Sequence, residues 1–294
     1  MKQNHSLLML WASWSSIGVA LTLIILKAIA VFITGSVAIL STLFDSVQDL
    51  MTSTINFVAI KQAIQPADKQ HRFGHGKAQG IGSLIQSLII LISGGMLIYT
   101  SCQHFFNKQA PTALSIGFWI IGITLIFTLI LVSFQKYVVK LTGSLSIKAD
   151  MAHYTGDILM NIGVILSLIG SYFIKTGCLD ALFGVGVGLY LIKVSYDIIC
   201  QAIEMLMDTE LSPEIRHKIK ENVLSIKEIH QITDLKTRQS GNKIFIQMTL
   251  HMQESITLKK AHQLADQAEY LIHTDFPDSE IILHLEPDLK SNLK

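Results

Sequence analysis

Residues 37–60 read VAILSTLFDSVQDLMTSTINFVAI, a stretch long and apolar enough to cross a membrane that nevertheless carries Asp45 and Asp49 in its interior. A helix needs about 20 largely apolar residues to cross the hydrocarbon core, and five other stretches also reach that length: 9–33, 80–105, 113–138, 146–173 and 179–205. The expected fold is an α-helical membrane protein with six transmembrane helices. An even number of crossings brings both termini to one side. Lys61, Lys69, Arg72 and Lys77 follow the second span and Lys136, Lys140 and Lys148 the fourth, whereas the alternate linkers offer only Lys108 and Lys175. Basic linkers stay inside, so both termini are expected in the cytoplasm.

Composition agrees. Of 294 residues, 50% are hydrophobic and 15% charged, with a mean hydropathy of +0.46, against roughly a quarter charged in soluble chains. The net charge of +1 shows no basic footprint for nucleic acid. Cys102, Cys178 and Cys200 lie far apart without a CxxC pair, which argues against a thiolate zinc site or a disulfide framework. A single bridge between Cys102 and Cys178 stays open, because both fall towards the extracytoplasmic side. The first apolar run is too long for a cleavable signal and lacks a small-residue cleavage site.

After Asp208 the texture changes, which divides the chain into a membrane domain, 1–208, and a soluble domain, 209–294. Ser212-Pro213 reads as a helix start, with the helix running to about Ser225. Alternating residues 232–236 and 244–250 read as strands around the turn Ser240-Gly241-Asn242. A helix from Thr257 to His273 and a strand from Glu280 to Leu285 complete an α-β-β-α-β order, that of a small α+β, ferredoxin-like unit with helices on one face of the sheet. Gly163, Gly170, Gly184, Gly186 and Gly188 read as helix-packing residues of the last two spans, because GxGxG without a preceding strand is no nucleotide loop.

Carboxylates are costly in hydrocarbon and need a reason to be there. Asp45 and Asp49 stand four residues apart on the second span, and His153 and Asp157 four apart on the fifth, so each pair shares a helix face. Facing one another, they offer three carboxylates and one imidazole, a donor set that suits tetrahedral zinc. Helix capping, pairing with Lys27 or Lys193, or hydration at a helix end is the alternative. Asp68, His71 and His75 form a second candidate cluster in the linker before the third span, where a solvated loop is the alternative. In the soluble domain His284 and Glu286 share a strand face, with His262 from the preceding helix as a candidate third ligand.

Together, the Asp-x-x-x-Asp and His-x-x-x-Asp pairs, Phe73-Gly74-His75-Gly76-Lys77, Thr34-Gly35-Ser36, residues 236–241 (KTRQSG) and 265–267 (ADQ), and the α-β-β-α-β tail resemble the cation diffusion facilitator family, nearest to its bacterial zinc and ferrous-iron efflux members. The resemblance covers nearly the whole chain. It implies a homodimer in a bacterial inner membrane, whose protomers each carry a transport site at Asp45, Asp49, His153 and Asp157 and exchange cytoplasmic metal for protons. Asp68, His71 and His75 match the family's linker site, and Lys77 and Asp208 match a charge pair that helps hold the dimer. Manganese-selective relatives usually have Asp at the position of His153, and an imidazole donor suits zinc or iron better than magnesium or calcium. The implied cargo is Zn2+, with Fe2+ or Cd2+ as further candidates. The tail departs from the pattern: Thr233 and Thr249 stand where close relatives have histidines, which puts a complete metal cluster with His262, His284 and Glu286 in doubt.

A secondary transporter, and not an enzyme, is therefore expected. An intramembrane metal-dependent hydrolase is the rival from another class; the sequence has no HExxH, and binding the metal would use every ligand-type residue. A membrane metal sensor is the third reading, favoured if metal binds the tail without crossing.

Overall fold

The apolar stretches fold as long continuous helices: α1 (Lys2–Thr34), α2 (Val37–Ala63), α3 (Ala78–Asn107), α4 (Ser115–Thr142), α5 (Leu145–Phe173) and α6 (Cys178–Leu206). The computed structural model describes residues 2–35, 37–107, 115–173 and 178–288; Ser36, Lys108 and Lys175 lie outside the described residues. Each helix extends past the apolar window that marked it. Helical hydrogen bonds continue at little cost into polar flanks, whereas hydropathy sees only the part suited to lipid.

Four helical segments, His5–Thr34, Ala78–Gln103, Trp119–Thr142 and Ala181–Leu206, are long and apolar enough by themselves to span a membrane. The two helices outside that set, α2 and α5, are the ones that carry the Asp-x-x-x-Asp and His-x-x-x-Asp pairs. The bundle is also more polar inside than out. Phe32, Ile33 and Trp119 are exposed, while Ser16, Ser53, Gln86, Gln135 and Asp150 are buried and hydrogen-bonded to one another or to a neighbouring helix, as expected where the surroundings are apolar and polar groups must find partners within the protein. α1 packs on α2 and α4, α2 on α3 and α5, and α5 also on α3 and α4.

Small residues allow α6 its close approaches. A Cβ at Gly188 would lie 2.8 Å from the Gly94 carbonyl oxygen, and one at Gly94 would lie 3.1 Å from the Gly188 carbonyl oxygen. Gly163 similarly faces Phe183, with 3.2 Å to its Cβ. Gly186 corrects the packing expectation: a Cβ there would meet nothing within 4 Å. The surroundings of Gly170 lie outside the described residues. Cys102 is a free thiol, and the side chain of Cys178, its candidate partner, lies outside the described residues.

The chain divides into compact units Met1–Ile203 and Glu204–Lys294. The second contains α7 (Pro213–Leu224), β1 (Ile229–Ser240), β2 (Lys243–Met252), α8 (Leu258–Asp275) and β3 (Ser279–Pro287). β2 is the central strand, antiparallel to β1 and parallel to β3. Gly241, at φ 60°, makes the tight turn between Ser240 and Lys243. β1 is much longer than the five residues expected. Its register shifts between Thr233 and Lys236, and Asp234 adopts φ 49°, so a bulge breaks the period-two alternation that would have revealed the full strand. Ile219, Val223, Met248, Leu250, Leu264 and Ile272 build the core between the sheet and helices. Thr257 caps α8 by accepting a hydrogen bond from the Lys260 N–H.

Candidate metal centre

One i, i+4 pair on each of two packed helices brings the central cluster together. His153 on α5 donates from Nε2–H to Oδ1 of Asp49 on α2 at 2.9 Å, and the same nitrogen lies 4.0 Å from Oδ2 of Asp157. One ligand atom from each of these residues lies within 4.8 Å of the others. His153 and Asp49 have side chains 10% and 14% exposed, while Asp157, at 35%, is the most open of the three. Asp45 is not part of this three-residue group. It lines the same cavity of about 240 Å³ together with Asp49, Asp157, Asn161 and Lys27.

The cavity wall includes residues that ligand spacing did not single out. Lys27, on α1, donates from Nζ to the Thr42 carbonyl at 3.0 Å and the Ser46 hydroxyl at 2.7 Å. The sequence raised it only as an ion-pair partner for the aspartates. Its position in an otherwise apolar span was the available signal, because an intramembrane lysine needs polar company. Asn161 lies four residues beyond Asp157 on the same face, and its side-chain amide donates to the Asp157 carbonyl at 2.9 Å.

One turn before His153 lies a second buried carboxylate. Asp150 is 0% exposed and accepts from Ser16 of α1 at 2.6 Å, Gln86 of α3 at 2.9 Å and Gln135 of α4 at 2.7 Å. Tyr154 beside it is hydrogen-bonded to Ser53 of α2 at 3.0 Å. These bonds join α5 to α1, α2, α3 and α4 and fix the turn that presents His153. The sequence contains Asp150, but its partners come from three other helices and no spacing rule connects them.

The linker cluster is local. The Asp68 N–H donates to the His71 carbonyl at 3.2 Å, and Oδ1 of Asp68 accepts the N–H groups of His71 at 2.6 Å and Gln70 at 2.8 Å. Gly74 at φ 82° then reverses the chain, which brings Nε2 of His75 to 3.5 Å from Asp68 Oδ2 and Nδ1 of His71 to 3.5 Å from Oδ1. The His71 N–H is the main cause, followed by that of Gln70, that holds the Asp68 carboxyl below its usual range. The cluster thus presents a carboxylate and two imidazoles to one point, and the buried Nδ1 of the half-buried His75 has no hydrogen-bond partner.

The tail residues are not gathered. His284 lies 3.2 Å from Glu286 and His262 3.7 Å from Asp266, all well exposed, and among the described residues no cluster unites His262 with His284 and Glu286. α8 turns Ala261, Leu264, Ala265 and Ala268 into the core, which leaves His262 on the solvent side. Thr233 and Thr249 are cross-strand partners, and Thr233 is hydrogen-bonded to the buried His251 at 2.8 Å.

Comparison with known proteins gives a consistent result. Residues 13–207 match the family model of the cation efflux transmembrane domain, and residues 211–288 match that of the cation efflux protein cytoplasmic domain. The chain is 38% identical over 287 residues to the cation-efflux pump FieF of Pectobacterium atrosepticum, an alignment that covers 98% of this chain and 95% of that protein. FieF proteins of Pectobacterium carotovorum and Escherichia coli match with the same identity and coverage.

Proposed function

Because the chain belongs to the cation efflux family, whose members are membrane transporters and not enzymes, we propose that it exports a divalent transition metal from the cytoplasm in exchange for protons. Zinc is the first cargo, with ferrous iron and cadmium as further ones. The observation that carries this reading is the meeting of Asp49, His153 and Asp157 within 4.8 Å, beside a cavity that Asp45 also lines. Two or three carboxylates and one imidazole are a borderline-soft donor set, suited to zinc or ferrous iron.

The coupling follows from the ligands themselves. Metal binds the deprotonated carboxylate and neutral imidazole forms, so protons and metal compete for the same lone pairs. The proton on His153 Nε2 that bonds Asp49 must leave before that nitrogen takes a metal, and its return on the far side expels the metal. Rocking of α2 and α5 with their neighbours exposes the site to each side in turn.

All six long helices cross a bacterial inner membrane in this reading, with both termini and the 209–294 domain cytoplasmic. The chain works as a homodimer, and Lys77 and Asp208 form a charge pair that helps hold it. Asp68, His71 and His75 bind a second, structural zinc in the linker. The exposed His262, His284 and Glu286, which share no cluster among the described residues, have no part in this scheme.

The test is zinc flux into liposomes that hold the purified protein under an imposed pH gradient. Gradient-dependent flux in the parent and a loss of about a hundredfold or more in Asp49→Ala and Asp157→Ala are expected, since each variant removes a charged ligand. Undiminished flux in either variant would move the transport site elsewhere. Substrate turnover without flux would contradict transport itself.

A further inference from the structure

Lys27 is a basic residue in the wall of the candidate transport cavity, and it is held in place. It is 7% exposed, and its amine donates to the Thr42 carbonyl and the Ser46 hydroxyl at 3.0 and 2.7 Å. These acceptors lie on α2 in the turns before Asp49, flanking Asp45. Lys27 and Asp45 both lie towards the end of the bundle where α1 turns into α2 at Gly35. Asp45 is also the one of the three cavity aspartates that the His153 cluster leaves out.

We propose that the Lys27 ammonium is a tethered counter-cation of the transport cavity, which sets the charge that the cavity offers its cargo and keeps the affinity low enough for release. This rests on the reading of Asp45, Asp49, His153 and Asp157 as the transport site. With a neutral imidazole, three carboxylates and one ammonium leave a formal charge of −2, which one divalent ion cancels. Without the ammonium the wall carries −3, and the loaded cavity keeps an uncompensated negative charge where desolvation makes charge costly. Asp45 stands between the two acceptors of the ammonium along α2 and lines the same cavity, so the positive charge acts on it both before loading and after release. Lysine suits this role as a compact charge on a flexible stem.

The experiment compares zinc flux in liposomes for the parent, Lys27→Met, Lys27→Gln, Lys27→Arg and Asp49→Ala, with KM and maximal rate measured separately. The neutral variants are expected to lower KM about tenfold or more, the effect of one unit charge within a few ångströms in a partly hydrated site. Their maximal rate should fall as release slows, while Lys27→Arg keeps a KM near the parent's. An unchanged or raised KM in both neutral variants would overturn the proposal. So would neutral variants that fail to accumulate as folded protein while Lys27→Arg does, because Lys27 would then be only a tie between α1 and α2. Asp49→Ala separates the two readings: full flux there refutes the site itself, whereas lost flux there with an unchanged KM in the Lys27 variants refutes the counter-cation alone.

Discussion

Asp68 is ionised by its own loop. The His71 and Gln70 N–H groups that point at Oδ1 hold its carboxyl below the usual range, so lowering the pH from about 7 to 5 does not neutralise it. Zinc affinity at the linker, measured by calorimetry in an Asp49→Ala background, should fall about tenfold or more in Asp68→Asn, by the same factor at both pH values. A factor that shrinks at the lower pH would mean that Asp68 titrates in that range. At this scale the sequence was a good guide where ligands are near neighbours in the chain. The spacing of His153 and Asp157 on one helix face, and of Asp45 and Asp49 on another, is a property of any helix, and one tight loop contains Asp68, His71 and His75. The grouping of Asp49 with His153 and Asp157 without Asp45 is not in the spacing. Lys27 as a wall of the cavity was not legible, because its acceptors lie 15 and 19 residues away across a helix turn.

Between helices, a few polar and close-packed contacts carry the order. Asp150→Ala would leave the buried Gln86 amide without its acceptor, while Gln135 keeps Ser16 and Ser16 keeps the Ala12 carbonyl, and should cost about 1–3 kcal/mol. Thermal unfolding in detergent measures this. Zinc flux should fall with it, because the same residue holds the turn that presents His153. The α3–α6 crossing makes a sharper comparison. Gly188→Val puts side-chain atoms against the Gly94 carbonyl and Ile98 and should destabilise by about 1–3 kcal/mol, the usual cost of overpacking, whereas Gly186→Ala, facing open space, should leave the unfolding temperature unchanged within about one degree. Equal effects at both positions would refute the close crossing. The GxGxG pattern marks α6 as a packing helix without saying which glycines face a neighbour, because that depends on the helix's rotation in the bundle.

For the whole molecule, the proposed homodimer places Lys77 and Asp208 in one charge pair, but Asp208 also binds Arg238 at 3.1 Å within its own domain. Charge reversal should reveal both contacts. Lys77→Glu and Asp208→Lys are each expected to shift the purified protein towards monomer in native mass spectrometry. The double variant should recover the dimer only in part, since Asp208→Lys also loses Arg238. Full recovery would mean that Arg238 contributes nothing, and a parent-like dimer in both single variants would remove the pair from the interface. Asp208 adopts φ 55°, a left-handed conformation that aspartate tolerates better than most residues, so Asp208→Asn, which preserves this preference, separates charge from backbone.

By itself, the sequence determined a run of long apolar helices, an appended α-β-β-α-β unit and two charged faces inside helices, because lipid solubility and helical periodicity are local properties that survive without knowledge of neighbours. Only the tertiary structure decided that α2 and α5 set Asp49, His153 and Asp157 around one point, that Lys27 shares their cavity, and that Asp150 ties α5 to α1, α3 and α4. It also placed His262 on the solvent side of α8, in no described cluster with His284 and Glu286, and extended β1 through its bulge. The physical reason is the same in each case. A helix or strand fixes which of its own residues share a face, but the residues that face meets depend on how elements rotate and pack against one another, and that is an energy of the whole assembly.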